Sequence, residues 1–483
     1  MQLVAYGAQD VYLSGNPQIT FFKIVYRRHT NFSIEAIEQV FNGNVDFGKK
    51  ATLSISRHGD LISKMFLKLK FNSIYTLTSV LGAQDDFENM EINLTPSKVV
   101  ENNLSFTTSN DDFTLNHSEG GFDAQSFAEG NVILISNSSV PENNGFFEIE
   151  EWVSNTTIRV RLPNTSEPED DSTISNNLSV SAHEVNNNEW VKNFGYCFIK
   201  SVELQIGGTK IDKQYGEWMY VWNQLTKKSG HKDSYDMILN KNSSNELFVP
   251  LQFFCCENVG LSLPLIALQY HDVKLDFEFN SLVNCCSNTN TSTKIDSASV
   301  LIDYIYLDSD ERKKFAQSSH EYLIEQLQFT GIEVGNIGIN KFALSFNHPC
   351  KEIIWIVKKS GDNSSNKFIN FTNNNNIELG KNPVNSALLK LNGHDRFSEQ
   401  SGKYFQNVQI LKHASTPEYP GINVYSFALN PEDHQPSGTC NFSRIDNATL
   451  SMDLNVNGNV YIFAKSYNVL RIMSGMGGLA YSN

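Results

Sequence analysis

Val273-Lys274-Leu275-Asp276-Phe277-Glu278-Phe279-Asn280 and Ala448-Thr449-Leu450-Ser451-Met452-Asp453-Leu454-Asn455 are the two stretches whose reading decides the fold. Each alternates apolar and polar residues and closes on Asn, the period-two pattern of a strand with one face in a core. A second pair matches in the same way. Leu53-Ser54-Ile55-Ser56-Arg57-His58 answers Leu344-Ser345-Phe346-Asn347-His348, each a strand running into a turn before a further apolar strand. The chain therefore contains an internal repeat. The Leu53 pair lies 291 residues apart and the Val273 pair 175, so the first copy is expected to carry an insertion of 116 residues.

Composition marks the same place. Between Ser73 and Trp190 the chain turns rich in Asn, Ser, Asp and Glu, as in Glu167-Pro168-Glu169-Asp170-Asp171. Asn131–Ser136 and Phe146–Val153 read as strands around an Asn143-Asn144-Gly145 turn, and Thr156–Leu162 as a third. A small β module projecting from the first copy is expected over 73–190. It holds Asn-x-Ser/Thr triplets at Asn93, Asn103, Asn116, Asn137, Asn155, Asn164 and Asn177. These are glycan acceptors if the chain meets a glycosylation machinery. An Asn-rich sequence also produces such triplets by chance, and that reading is preferred for any single site.

Outside the module, Val, Ile, Phe and Tyr alternate with polar residues between Gly, Asn and Pro breaks, an all-β sandwich pattern. Ala51–Ser56 and Ile62–Phe71 are expected strands around Arg57-His58-Gly59-Asp60. Phe194–Ile206 and Thr209–Asp212 flank a tight Gly207-Gly208 turn, and Phe248–Cys255, Leu265–Asn280 and Val300–Leu307 continue the series. Tyr215, Trp218, Met219, Trp222 and Leu225 fall on one helical face, read as core rather than as a ligand box, with Lys227, Lys228 and Gly230 closing the helix. Asp308-Ser309-Asp310-Glu311 opens a second helix, the expected connector over 309–330. At the start, Asn16 and Pro17 suit the cap and first position of a short helix whose Ile19, Phe22 and Tyr26 recur at helical spacing, with Arg27, Arg28 and His29 at its end. So apolar a segment needs something to bury against, its own domain or an assembly partner.

The chain has 483 residues and a net charge of −15, which argues against coating nucleic acid. The most apolar stretch, Leu261–Leu268, is short and contains Pro264, and residues 1–20 lack the pattern of a signal peptide. Seven cysteines, Cys197, Cys255, Cys256, Cys285, Cys286, Cys350 and Cys440, read as reduced thiols; the adjacent pairs, if on strands, point to opposite faces and act as small hydrophobes. Gly475-Met476-Gly477-Gly478 has no helix after it to hold a phosphate and suits tight backbone packing. His394-Asp395 and Glu432-Asp433-His434 join acid and imidazole without an adjacent nucleophile and read as polar turn residues. No enzyme activity, metal or cofactor is expected. Trp152 and Trp190, if exposed, leave open a carbohydrate-binding β-sandwich attachment protein; a cupin-type enzyme lacks an evident His/Glu cluster.

Several stretches resemble the major capsid proteins of nucleocytoplasmic large DNA viruses, the chlorovirus and iridovirus group. They are Gly7–Phe32, Gln205–Gly208 with Tyr215–Trp218, Pro264–His271, Asp310–Arg312 with His320–Glu325, Asn392–Phe397, Ser437–Arg444 and Tyr467–Tyr481. They run from end to end and spare only the insertion. The resemblance implies two consecutive eight-stranded jelly rolls, 33–308 and 331–483, behind an arm over 1–32. It also implies a homotrimeric, pseudo-hexagonal capsomer in the virion shell, assembled in the host cytoplasm. Its expected partners are neighbouring capsomers, penton and minor capsid proteins, with the inner viral membrane reached indirectly and no direct nucleic acid. The arm residues Asn16, Pro17, Phe21, Phe22, Tyr26, Arg27 and Arg28 are expected to tie the capsomer to its neighbours.

Overall fold

A computed structural model describes residues 29–71, 190–227, 230–240, 246–286 and 295–481, with 8–9, 11 and 15–16 before them. Between 72 and 189 it describes 74–76, 91–93, 98–101, 104–109, 112–118, 120–127, 131–136, 145–161, 171–175, 179–183 and 185–186.

The first sandwich is built from β1 (Phe32–Val40), β2 (Lys50–Ser54), β3 (Leu61–Phe71), β4 (Ile199–Ile206), β5 (Thr209–Tyr215), β6 (Glu246–Pro250), β7 (Val273–Phe279) and β8 (Ile295–Leu307). One sheet has the order β1-β8-β3-β6 and the other β5-β4-β7-β2. The second sandwich comprises β9 (His320–Phe329), β10 (Gly338–Ala343), β11 (Pro349–Lys359), β12 (Val384–Leu391), β13 (broken, His394–Asp395 and Gln400–Ser401), β14 (Asn423–Ser426), β15 (Ala448–Leu454) and β16 (Gly458–Met473). Its sheets run β9-β16-β11-β14 and β13-β12-β15-β10, the same order strand for strand. Two jelly rolls therefore follow one another, each with neighbours in the sheets that are far apart in sequence.

The hydrogen bonds correct the repeat register. The Ile55 N–H donates to Val273 O and the Leu344 N–H to Ala448 O, both at 2.9 Å. Ile55, not Leu53, is thus the counterpart of Leu344; these two lie 289 residues apart against 175 for Val273 and Ala448, and the excess becomes 114 rather than 116. A slip of two keeps every side chain on its face, so alternation alone did not expose it.

That excess forms a sheet of its own. Its order is Asp171–Ser175, Leu104–Ser109, Asp112–His117, Thr157–Arg161, Gly145–Ser154, Val132–Ser136, Ser179–His183 and Lys98–Glu101. It encloses a separate core that includes Leu104, Leu115, Phe122, Phe127, Ile133 and Ile149. The expected Asn143-Asn144 turn lies outside the described residues.

Several expected strand limits shift. Phe194–Phe198 is a helical turn that precedes β4, and Phe254–Glu257 is another, following β6. Leu265–Ala267 is a 3-10 turn, so the strand expected from Leu265 begins only at Val273. The Gly207-Gly208 hairpin is as expected, with φ of 58° and 78°, the left-handed pair whose twist matches the flanking strands. Cys255, Cys256 and Cys285 lie on short helical turns, and Cys286 follows the second turn in an extended bridge to Trp190. All seven are free thiols, buried except for half-buried Cys256 and Cys440.

The aromatic helix α1 (Gly216–Thr226) and a second, α2 (Lys232–Leu239), lie between β5 and β6. The link between the rolls, α3, covers Ser309–Gln317, shorter than the expected 309–330 because His320 already starts β9. Asp308 caps it, Oδ1 accepting from the Glu311 N–H at 3.0 Å. Arg312 then reaches back 2.9 Å to Asp60, whose other oxygen accepts from the Leu307 N–H.

Candidate assembly surfaces and the seam between the rolls

The joint between the two rolls starts at Gly216. A Cβ there would run into the carbonyl oxygens of Tyr196 and Ile199, so only glycine lets α1 start this close to β4. Held there, α1 presents Trp218 and Trp222, stacked with centroids 5.3 Å apart, to the outer face of the β9-β16-β11-β14 sheet. Trp218 lies 5.3 Å from Phe463 and Tyr215 lies 4.9 Å from Phe329. Strand β5 meets the edge of β9, where Asp212 Oδ1 accepts from the Leu327 N–H at 3.0 Å and the Gln326 amide donates to Ile211 O. Lys358 and Glu217 pair at 3.1 Å farther along. Covered on both faces, β11 is buried without interruption from Cys350 to Val357.

Charge is buried in this joint. A bulge between Cys350 and Glu352 turns Lys351 and Glu352 inward together. Lys351 Nζ lies 2.7 Å from Glu325, and Lys465 Nζ lies 2.9 Å from both Glu325 and Glu257, 3.5 Å above the Trp222 ring centroid. Burial alone would raise the Glu325 carboxyl, but Lys465, His434 and Lys351 hold it well below the ordinary range. Burial likewise opposes charge on Lys465, yet Glu257 and Glu325 push its pKa up. At Glu352 the same two lysines compensate too little. Burial lifts it to about 7, and its Oε1 has no hydrogen-bond partner among the described residues. Burial also lifts Glu432 to about 7 and Asp212 to about 6. Glu432 and His434, expected as plain turn residues, therefore border the cluster; His394 and Asp395 are exposed.

The chain's end closes the joint from the other side. Gly475 turns β16 back on itself with φ 80°, and its carbonyl accepts from the Tyr270 N–H at 3.0 Å. A Cβ on Gly475 would come within 2.6 Å of Tyr270, and one on Gly477 within 2.7 Å of Leu268. The Gly477 N–H donates to His271 Nδ1 at 3.1 Å. The glycine-rich end thus packs on Pro264–His271 of the first roll, as tight backbone packing requires.

The residues singled out from sequence are scattered over other surfaces. Asn155 is exposed, whereas Asn116 is half-buried and accepts from Thr157 Oγ1 at 3.0 Å. Asn93 ends the strand Glu91–Asn93, and Asn103, Asn137, Asn164 and Asn177 lie outside the described residues. Of the arm, Asn16 is exposed with φ 52°; Pro17, Phe21, Phe22, Tyr26, Arg27 and Arg28 lie outside the described residues. Trp190 is not available to a sugar, being buried against Phe47 and Phe194, and half-buried Trp152 donates to Phe122 O at 3.0 Å. The attachment-protein reading loses Trp190 as an exposed aromatic, while Trp152 stays half-exposed. Sequence reasoning missed the charged seam; its one signal was the unalternating run Cys350–Val357.

Two family models match the chain: "Major capsid protein N-terminus" over residues 20–114 and 126–308, and "Large eukaryotic DNA virus major capsid protein" over 311–478. The major capsid protein of Pyramimonas orientalis virus is 41% identical over 519 residues, covering 100% of this chain and 99% of its own. That of Paramecium bursaria Chlorella virus 1 is 35% identical over 545 residues, with the same coverage. Among solved structures, the quasi-atomic model of the PBCV-1 virus capsid superposes with a TM-score of 0.64 at 30% identity, covering 96% of this chain and 100% of that one. The Faustovirus major capsid protein shares the fold, with a TM-score of 0.63 at 11% identity over 97% of this chain and 94% of that one. The chain belongs to the major capsid proteins of large eukaryotic DNA viruses, double jelly-roll structural proteins of the virion shell.

Proposed function

We propose that three copies of this chain form a pseudo-hexagonal capsomer, each contributing two similar walls, the rolls built from the strands over 32–307 and 320–473. The identical strand order of the two rolls, joined by a buried seam, carries this reading. Six similar walls make a near-hexagonal prism that tiles a flat facet, while the closed rolls shield most strand edges from stray pairing. Its work depends on shape and not on a reaction. Light scattering and negative-stain microscopy of the purified chain should give a trimer with a six-sided outline; a monomer at working concentration overturns the proposal.

Neighbouring capsomers, pentons and minor capsid proteins are the proposed partners, with the inner membrane reached through them. The arm over 1–32, with Phe21, Phe22, Tyr26, Arg27 and Arg28, makes those contacts from the inner base. Deleting residues 1–30 should leave trimers intact but reduce shell assembly at least about tenfold; normal particles would refute the arm's role. The Asn-x-Ser/Thr triplets are assigned no glycan. Intact-mass measurement is expected to return the polypeptide mass of 54.4 kDa, and added hexose-sized increments would reverse that assignment.

A further inference from the structure

We propose that a lysine-lined cleft between the two rolls of one chain, at the end that bears the outgrowth, is a binding site for an acidic oligosaccharide, one carrying carboxylate or sulfate groups. The site is complete within a single chain, so it stands or falls separately from the capsomer.

The cleft holds about 610 Å³, within the usual range of small-ligand sites. Its first-roll wall comes from β4, β5 and β7, where Lys200, Lys213 and Glu278 stand. Its second-roll wall comes from β11, β16 and the loop after β11, with Lys358, Lys359 and Lys367. The chain runs from β3 into the outgrowth and returns from it to β4, so the cleft lies at that end of the rolls.

Charge singles the cleft out. Among the described residues, five lysines and three carboxylates line it, in a chain whose net charge is −15. Two of the lysines are matched: Lys200 lies 2.8 Å from Glu278 and Lys358 lies 3.1 Å from Glu217. The other three meet weaker partners. Lys213 is 3.8 Å from Glu203, Lys359 donates to the Asn375 side-chain oxygen at 2.8 Å, and Lys367 donates to the carbonyl oxygens of Val283 and Cys286. Asp362, the third carboxylate, is taken up by the Ser364 hydroxyl and the Asn370 amide. An entering anion meets net positive charge in a recess, where attraction is screened less than on an open surface.

The internal repeat shows that the architecture does not require these lysines. Lys200 Nζ donates to Glu278 across β4 and β7; at the matching point of the second roll Asn385 Nδ2 donates to Asp453 across β12 and β15, at 3.1 Å. Tyr215 and Ser401 are counterparts, pairing with Ser201 and Ser386, and two residues earlier the first roll has Lys213 where the second has Glu399. The same fold carries an amide and an acid where this wall of the cleft carries two cations.

The rest of the lining selects a sugar over a peptide. Among the described residues, β4, β7 and the opening of β16 are hydrogen-bonded along both edges, which leaves these strands no free ladder for an extended chain. Recognition falls to side chains. The exposed amides of Asn284 and Asn459 suit hydroxyl groups, and Tyr215 with the exposed Val283 and Ile332 offers apolar surface to the face of a sugar ring. Lysine ammonium groups, compact charges on flexible stems, suit a carboxylate or sulfate. Repeated in every copy of an assembly, a weak site of this kind gains strength by multivalency.

The test is calorimetric titration of the full-length chain with a heparin-derived sulfated tetrasaccharide in about 0.15 M salt. Saturable binding is expected, and none with neutral maltotetraose. Lys213→Gln with Lys359→Gln should weaken binding at least about tenfold, whereas Lys313→Gln with Lys314→Gln, the same loss of charge on α3, should leave it unchanged. Lys213→Arg with Lys359→Arg keeps the charge and should bind within about threefold of wild type, which separates lost charge from lost fold. The proposal is overturned by a wild type that does not bind, by equal effects of the two glutamine pairs, or by loss of binding in the arginine pair as well. Hexaglutamate binding more tightly than the sulfated sugar overturns it too, by making the ligand an acidic peptide.

Discussion

Lys465→Ala should destabilise the chain by about 3–5 kcal/mol, the range for removing one partner of a buried ion pair. Lys465 holds two carboxylates, Glu257 of the first roll and Glu325 of the second, at 2.9 Å each, and its ammonium faces the Trp222 ring. Without it Glu325 retains Lys351, but Glu257 loses its partner and the joint loses a contact bridging both rolls. In urea, the wild type should unfold in one transition followed alike by tryptophan fluorescence and far-ultraviolet circular dichroism. The variant's midpoint should fall, and the two probes should separate as the rolls uncouple. An unmoved midpoint with coincident probes would show that the cluster does not hold the rolls together.

Glu352→Gln is expected to act in the opposite direction, with a gain that grows as pH rises above about 5 and levels off once the folded pKa of about 7 is passed. The carboxyl's folded pKa is raised from 4.5 to about 7 by burial, with opposing help from Lys351 and Lys465 too weak to offset it. A raised carboxyl contributes stability that is fully present below its unfolded pKa and is lost as pH climbs through the folded one. The wild type should therefore weaken between pH 5 and pH 8 by up to about 3 kcal/mol from this group. Glutamine keeps the shape, carries no charge, and forfeits no hydrogen bond at an oxygen that has no partner among the described residues. Its stability should match the wild type at pH 5 and exceed it at pH 8. Parallel pH profiles for the two proteins would show Glu352 to be ionised at no cost.

The architecture was legible because it follows from local rules. The alternation in Val273–Phe279 and Ala448–Leu454 fixed paired strands, and Asp308 with the acids after it marked the start of α3. Phe194–Phe198 and Phe254–Glu257 were misread because short apolar runs have no period by which to tell strand from helix. The seam was illegible for another reason. Glu325, Lys351, Glu352 and Lys465 are the residue types that normally face water, and only the second roll laid over the first turns them inward. Apart from the unalternating run that holds Lys351 and Glu352, nothing local to the four positions carries that information.

The module with its own core grows from the first roll alone. In a ring of three such chains the base repeats every 60° but the crown only every 120°. A tile turned by one step would still fit its hole, yet it would set an ornament where its neighbours expect bare wall. In the proposed lattice of near-hexagons the outgrowth would supply an orientation to obey, and crowding between crowns would penalise a misplaced unit that the base would accept.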